Sequence, residues 1–239
     1  MKGVIIDTET ASLKGGVVEL ASIEVNSVGK VVQNTLQCDL VNPECKISFE
    51  AMAIHNITQD MVDDSDTIED LYEKHQLDGD GYIIAHNAKF DIKMLPEYFV
   101  KPNQKVLCTL ELARELYPKG DGVGCVESHK LGVLFYQFGL DKTFKGNNGE
   151  FHSASYDVQV TAEVLSYMLA ENNLTLESAY NLINKPIEQT KCFMKKYRDT
   201  GMTWEEVVKK DKPYVTWLIN KFEWGDDNES LVDYLKLNV

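Results

Sequence analysis

The sequence predicts an α/β protein: a mixed five-stranded sheet covered by helices on both faces, followed by a small helical module. Three observations predict it. Short β-branched runs come first and lie close enough together to pair antiparallel. Later apolar runs alternate with stretches of helical period, the arrangement that places helices against a sheet. The chain then changes character at Asn184-Lys185-Pro186, after which lysines and aromatics interleave. A first domain is expected over residues 1–183 and a C-terminal module over 184–239.

Residues 2–7, Lys-Gly-Val-Ile-Ile-Asp, read as a buried strand ending in an acid. A second strand is expected over Val17–Asn26 and a third over Lys30–Leu40, joined through the short polar Asn26-Ser27-Val28-Gly29 that a hairpin requires. Tyr82–Ala85 and Lys105–Cys108 complete the five. Helical periodicity covers 48–54 and 67–72, which open on the hydroxyl caps Ser48 and Thr67. It returns over 109–117, 127–138, 155–170 and 175–183. In the module, one helix is expected from Thr203 and another around Tyr214–Phe222.

Composition narrows the class of protein. With 44% hydrophobic and 26% charged residues the chain reads as soluble and globular. Asp7 and Glu9 arrive too early for the apolar core of a signal peptide. The longest apolar window, Leu131–Leu140, is about half a membrane span and contains Gly132, Gln137 and Gly139, so no membrane partner is expected. Five cysteines without a CxxC pair argue against a disulfide framework and a structural zinc site. Reduced thiols and a cytoplasmic location are the expectation. The formal charge of −14 argues against tight, non-specific coating of a polyanion.

Three segments carry chemistry. Asp7-Thr8-Glu9-Thr10 closes the first strand, and a spacing of two puts both carboxylates on one face of an extended chain. Two such acids can share a hard cation, although an acid at a strand end is usually a solvated loop residue. His86-Asn87-Ala88-Lys89-Phe90-Asp91 runs from a strand into a helix whose first turn presents Asp91, where the helix dipole alone favours an acid. His152-Ser153-Ala154-Ser155-Tyr156-Asp157 opens a long helix, with His152 on the preceding loop and Asp157 in the first turn. Each segment is weak alone, and together they are far less expected by accident.

In order and spacing the three segments resemble the motifs of the DEDDh 3′→5′ exonuclease family: DxE, an HNAxFD segment and HxAxxD. The match covers most of residues 1–170 and fills all five polar positions. The resemblance implies a ribonuclease H-like fold. It also implies that Asp7, Glu9, Asp91 and Asp157 hold two Mg²⁺ or Mn²⁺ ions about 3.5–4 Å apart. His152 is then the general base, a role worth ~10²–10⁴-fold. Ile6-Asp7-Thr8-Glu9-Thr10, Leu13, Gly15-Gly16, Val18-Glu19 and the run Ala51–Thr58 are similar to the exodeoxyribonuclease X branch of the family and its phage members. That branch implies nucleic-acid contacts for Thr8, Thr10, Leu13, His55, Ile57, His86 and Asn87. Leu13 and Ile57 can stack on any base, with simple core packing as the plainer reading.

The implied partner is the 3′ end of DNA, with RNA as the alternative, since nothing in the motifs tests for a 2′-hydroxyl. A non-catalytic binding protein on the same fold is disfavoured because no acid has been lost. In the module, Lys195-Lys196-Tyr197-Arg198 and Trp217 either contact DNA or build a small core. Asp199-Thr200-Gly201 stands where the branch has a glycine directly after the basic run.

Overall fold

Strand β1 (Gly3–Thr10) is apolar through Ile6 because it is paired on both edges and covered on both faces. The computed structural model describes residues 2–75, 81–101, 103–146, 150–224 and 228–239. Around β1 the sheet runs β3-β2-β1-β4-β5, with β2 at Val17–Val25, β3 at Gln37–Leu40, β4 at Tyr82–Ala85 and β5 at Lys105–Cys108. The β1–β2 and β2–β3 pairs are antiparallel, and the β1–β4 and β4–β5 pairs are parallel. β1 and β4 therefore end on the same side of the sheet, and their carboxyl ends carry the first two motifs.

The pleat sorts residues between two cores. Ile5 and Ile84 face one, built with α5 (Thr109–Leu116), α6 (Leu131–Gln137), α7 (Ala154–Glu171) and α8 (Leu176–Ile183). Ile6 and Ile83 face the other, under α3 (Tyr72–His75) and α4 (Ala88–Met94). A third small core of Ala11, Val18, Ile47, Ala51, Ile57 and Val62 lies beneath α1 (Phe49–His55) and α2 (Gln59–Val62). The chain enters α1 as its sequence dictates, with the Ser48 side chain accepting a hydrogen bond from the Ala51 N–H at 3.1 Å.

The loop joining β1 to β2 is clamped at its base and free at its tip. The Ala11 N–H donates to the Gly16 carbonyl at 2.8 Å, and a Cβ on Gly16 would lie 2.5 Å from the Pro43 carbonyl oxygen. Leu13 at the tip is 81% exposed.

Several elements differ from the expectation, the short α2 among them. The third strand starts at Gln37 rather than Lys30. Asn34 adopts φ +62°, and the Thr35 hydroxyl accepts from the Glu24 N–H, replacing a ladder bond with a side-chain one. Only a Val25–Val31 bridge remains from the expected pairing. Over 67–72 the chain makes a short 3₁₀ turn, Glu69–Leu71, before α3, because Asp70 takes hydrogen bonds from both the N–H and the hydroxyl of Thr67. Helix α6 starts at Leu131 instead of Glu127, whose N–H is held by the Gln137 side chain. Helix α11 (Glu229–Asn238) was not anticipated at all, although Leu231 and Leu235 are spaced to share a face.

Two compact units divide between Ile183 and Asn184. The second unit holds α9 (Trp204–Lys210), α10 (Lys212–Lys221) and α11 around Trp204, Val207, Val215, Leu218 and Leu235. Its turn at Gly201 takes φ +70°, a conformation glycine adopts without strain. Among the described residues no helix is long and apolar enough to cross a membrane, and all five cysteines are free thiols.

Candidate active site

Asp7 and Glu9 follow Ile5 on the face of β1 that packs against α7, while Thr8 points the other way, toward α4. This alternation explains how one strand end serves acids from two helices. On the α4 side, Asp91 is buried and its Oδ1 accepts hydrogen bonds from the Thr8 N–H at 3.1 Å and the Thr8 hydroxyl at 3.0 Å. On the α7 side, Asp157 is buried in the first helical turn, and its Oδ2 accepts from the His152 N–H at 3.1 Å. That bond holds His152 in a left-handed turn, φ +71°, with its side chain exposed to solvent.

The register of β1 and β2 slips after Glu9, between the Glu9–Glu19 and Thr10–Val17 pairs. A bulge of this kind re-aims side chains beside a site. Glu19, directly opposite Glu9 in the ladder, joins the cluster, and its Oε2 accepts from the N–H of Ala154, the first residue of α7, at 2.6 Å. Its Oε1 accepts from the Cys38 thiol at 3.4 Å. Burial first, and Glu19 second, push that thiol up to about 12.

Burial raises all four carboxylates, and for Asp7 and Glu9 the neighbouring acids add to it. Burial, then the charges of Asp91, Asp157, Glu9 and Glu19, keep Asp7 well above the ordinary carboxylate range. Burial, then Asp157, Glu19 and Asp91, push Glu9 up to about 8. Asp91 rises to about 7 through burial, against the hydrogen bonds from Thr8. Asp157 rises to about 6 through burial, against the His152 N–H. Positive charge entering such a cluster favours its ionised form.

The donor set fits a hard cation. Oδ1 of Asp157 is buried without a hydrogen-bond partner in the structure. Ligand atoms of Glu9, His152 and Asp157 all lie within 4.8 Å of one another. An orphaned carboxylate oxygen aimed into an acidic cluster is what divalent coordination would satisfy.

The residues expected to touch nucleic acid divide. Leu13 and Asn87 are exposed, and Thr10 is half-buried at the end of β1. His86 is engaged on both ring nitrogens, by the Thr109 hydroxyl and the His129 carbonyl, each at 3.0 Å. Burial lowers it to about 4, so it is a neutral buttress of the β4–α4 turn. Thr8 is buried against Asp91. His55 is buried and accepts from the Ile57 N–H at 3.0 Å, with Nε2 unpartnered. Ile57 is 5% exposed and belongs to the core under α1, which leaves no face on which a base could stack.

Sequence reasoning missed two groups. Glu19 had one local signal, a lone acid between the buried Val18 and Leu20. The other group lines an open cleft of about 1100 Å³ that begins at His152 and Asp157 and is walled by Arg114, Lys119 and Lys130. Nothing local marks these cations, because α5, the following loop and the start of α6 converge only in the fold.

Fold and site together define an exonuclease. The exonuclease family profile matches residues 4–165, and the chain belongs to that family. It is 36% identical over 224 residues to exodeoxyribonuclease 10 of Escherichia coli K12, spanning 92% of this chain and 91% of the relative. It is 29% identical over 178 residues to the PolC-type DNA polymerase III of Bacillus subtilis, 70% of this chain and 11% of that protein. Among solved structures, exonuclease X in complex with 5′-overhanging duplex DNA superposes with a TM-score of 0.64 at 34% identity, covering 76% of this chain and 99% of that one. E. coli exonuclease I with a dT13 oligonucleotide shares the fold, with a TM-score of 0.58 at 14% identity over 72% of this chain and 42% of that one.

Proposed function

We propose that the chain is a 3′→5′ exodeoxyribonuclease that removes nucleotides from DNA 3′ ends, with His152 as general base. The observation that carries this reading is the buried carboxylate cluster with its unsatisfied Asp157 oxygen, open to a cleft with basic walls. The DNA substrate is argued from the names of the relatives, exodeoxyribonuclease 10 and DNA-bound exonuclease X.

Asp7, Glu9, Asp91 and Asp157 would hold two Mg²⁺ or Mn²⁺ ions. Bound there, divalent cations neutralise the scissile phosphate and stabilise charge on its entering and departing oxygens. Thr8 fixes the orientation of Asp91 through two hydrogen bonds. His152, exposed beside Glu9 and Asp157, takes the proton of the attacking water. The water oxygen bonds to phosphorus as the bond to the 3′ oxygen breaks, releasing a 5′-mononucleotide and a strand shortened by one. Arg114, Lys119 and Lys130 attract the phosphates of the retained strand, which the net charge of −14 would otherwise repel. Leu13 presents an apolar side chain to a terminal base, and Asn87 and Thr10 border the same strand ends.

The test is a digest of 5′-labelled single-stranded DNA, duplex DNA and RNA of one sequence with Mg²⁺, run beside Asp7→Ala. A ladder shrinking from the DNA 3′ end, absent with Asp7→Ala or in EDTA, is the expected result. Preferential digestion of RNA would move the assignment to an exoribonuclease. Full activity in excess EDTA would remove the metal.

A further inference from the structure

The charge of the chain is segregated. Residues 184–239 contain ten Lys and Arg against ten Asp and Glu, so the whole formal charge of −14 lies in residues 1–183. Within the second unit, nine of the ten cations fall in 185–221, against five acids, and the other five acids fall in 223–233. A catalytic unit this acidic repels a long phosphate backbone. The basic segment that follows it in the sequence has the opposite tendency.

That segment also exposes an aromatic side chain with no role in the core. Trp217 is 53% exposed and is absent from the cluster around Trp204. It stacks on Tyr214 one helical turn away, ring centroids 6.0 Å apart and planes 16° from parallel. The Lys196 ammonium sits 4.7 Å from the centre of the Tyr214 ring, tethered by an ion pair to Asp211. Asp211 is fixed in turn, because its Oδ2 accepts from the Tyr197 hydroxyl at 2.6 Å and its Oδ1 from the Tyr214 N–H at the start of α10. Lys221, one turn beyond Trp217 on the same helical face, is exposed and makes no ion pair among the described residues. The result is a pair of nearly parallel rings, with Lys196 over Tyr214 and Lys221 one turn beyond Trp217.

We infer that this face of α10 is a second binding site, for single-stranded DNA: Trp217 and Tyr214 form the stacking platform, and Lys196 and Lys221 contact the flanking phosphates. Stacked rings accept any base, and lysines in register with them neutralise the backbone. The inference rests on the DNA-exonuclease reading for its choice of ligand. Its role is to hold the strand that an acidic catalytic unit would lose between cuts.

The test uses the full chain carrying Asp7→Asn, which leaves the probe intact, and the fluorescence anisotropy of a fluorescein-labelled oligothymidylate. Trp217→Ala should weaken binding about tenfold or more, and Trp217→Phe should retain most of it. Lys221→Gln should lower the slope of log affinity against log salt by about 0.7. An abasic oligomer of the same length should bind the parent and Trp217→Ala equally. In the background with Asp7 intact, Trp217→Ala should turn over the p-nitrophenyl ester of thymidine 5′-monophosphate at the parental rate, because that substrate reaches only the carboxylates. Unchanged oligothymidylate affinity in Trp217→Ala overturns the proposal, as does an equal loss for the abasic oligomer. Failure of the parent to cleave the ester would instead overturn the catalytic reading, and the anisotropy result would stand apart from it.

Discussion

Glu9 and Glu19 are cross-strand partners, directly opposite each other in the β1–β2 ladder. Like charges so placed destabilise a sheet, and here one of them pushes the other's pKa upward. Glu19 is retained in that position with a separate task, anchoring the first N–H of α7 at 2.6 Å. The helix that carries Asp157 is thereby tied to the strand opposite Asp7 and Glu9.

Separating the two effects gives the first prediction. Glu19→Gln keeps an acceptor for the Ala154 N–H and removes the charge, so kcat should stay within about threefold of the parent. Glu19→Ala removes both, and urea denaturation should show a loss of about 1–2 kcal/mol with kcat down at least ~tenfold. Equal kcat in all three proteins would reduce Glu19 to a bystander.

The raised carboxylates make metal-free stability depend on pH. In the unfolded chain these acids titrate near pH 4, and in the fold Asp157, Asp91 and Glu9 titrate at about 6, 7 and 8. Across that window the folded state binds more protons. The stability these groups contribute is thus complete below about pH 4 and is lost as pH rises through the folded values. Asp7→Asn removes one group and its repulsion of the others. In a chelator its Tm should exceed the parent's at pH 8, with the gap closing toward pH 5. Added Mg²⁺ at pH 8 should raise the Tm of the parent more than that of the variant. A gap that widens toward acid would contradict the sign.

His152 acts on a proton in the proposed reaction, whereas the acids hold charge. His152→Ala should lower kcat by ~10²–10⁴-fold, while Mg²⁺ still raises Tm by at least half of its parental effect. Loss of the Mg²⁺-dependent Tm rise would make the imidazole a ligand and leave the base unassigned.

Thr8→Val tests the support under Asp91. The hydroxyl bond at 3.0 Å disappears while the backbone bond at 3.1 Å remains. Stability should fall by about 1 kcal/mol, and the Mg²⁺ concentration for half-maximal activity should rise. An unchanged metal requirement would show that the backbone N–H alone fixes the carboxylate.

The parts of this molecule legible in the sequence are those written in short-range pattern. Ile5 and Ile6 alternate along one strand, Asp7 and Glu9 share the face of Ile5, and Ser48 announces its helix. Asn34 and Thr35 defeated the third strand because a side-chain bond to Glu24 replaced a ladder bond, which β propensity does not register. Glu127 was lost from α6 to a side chain ten residues away. For Ile57 the sequence offered both a base contact and core packing, and the choice depends on α1 folding over β2. Glu19 meets Ala154 across 135 residues, and Arg114, Lys119 and Lys130 form a wall only after three segments converge. Long-range juxtaposition of this kind has no period to read.

The β1–β2 loop joins a fixed base to a replaceable tip. Its base is locked by the Ala11–Gly16 hydrogen bond and by Gly16 lying against Pro43, and a Cβ on Gly15 would lie 2.9 Å from the Ser12 nitrogen, so the exposed Leu13 is the position that can change without displacing Asp7 or Glu9. Leu13, at the tip, is free to drift or to be exchanged by design. On the proposed reading, with Leu13 against the terminal base, exchange of that one side chain should alter the preference among DNA ends and leave the carboxylates four residues upstream in place.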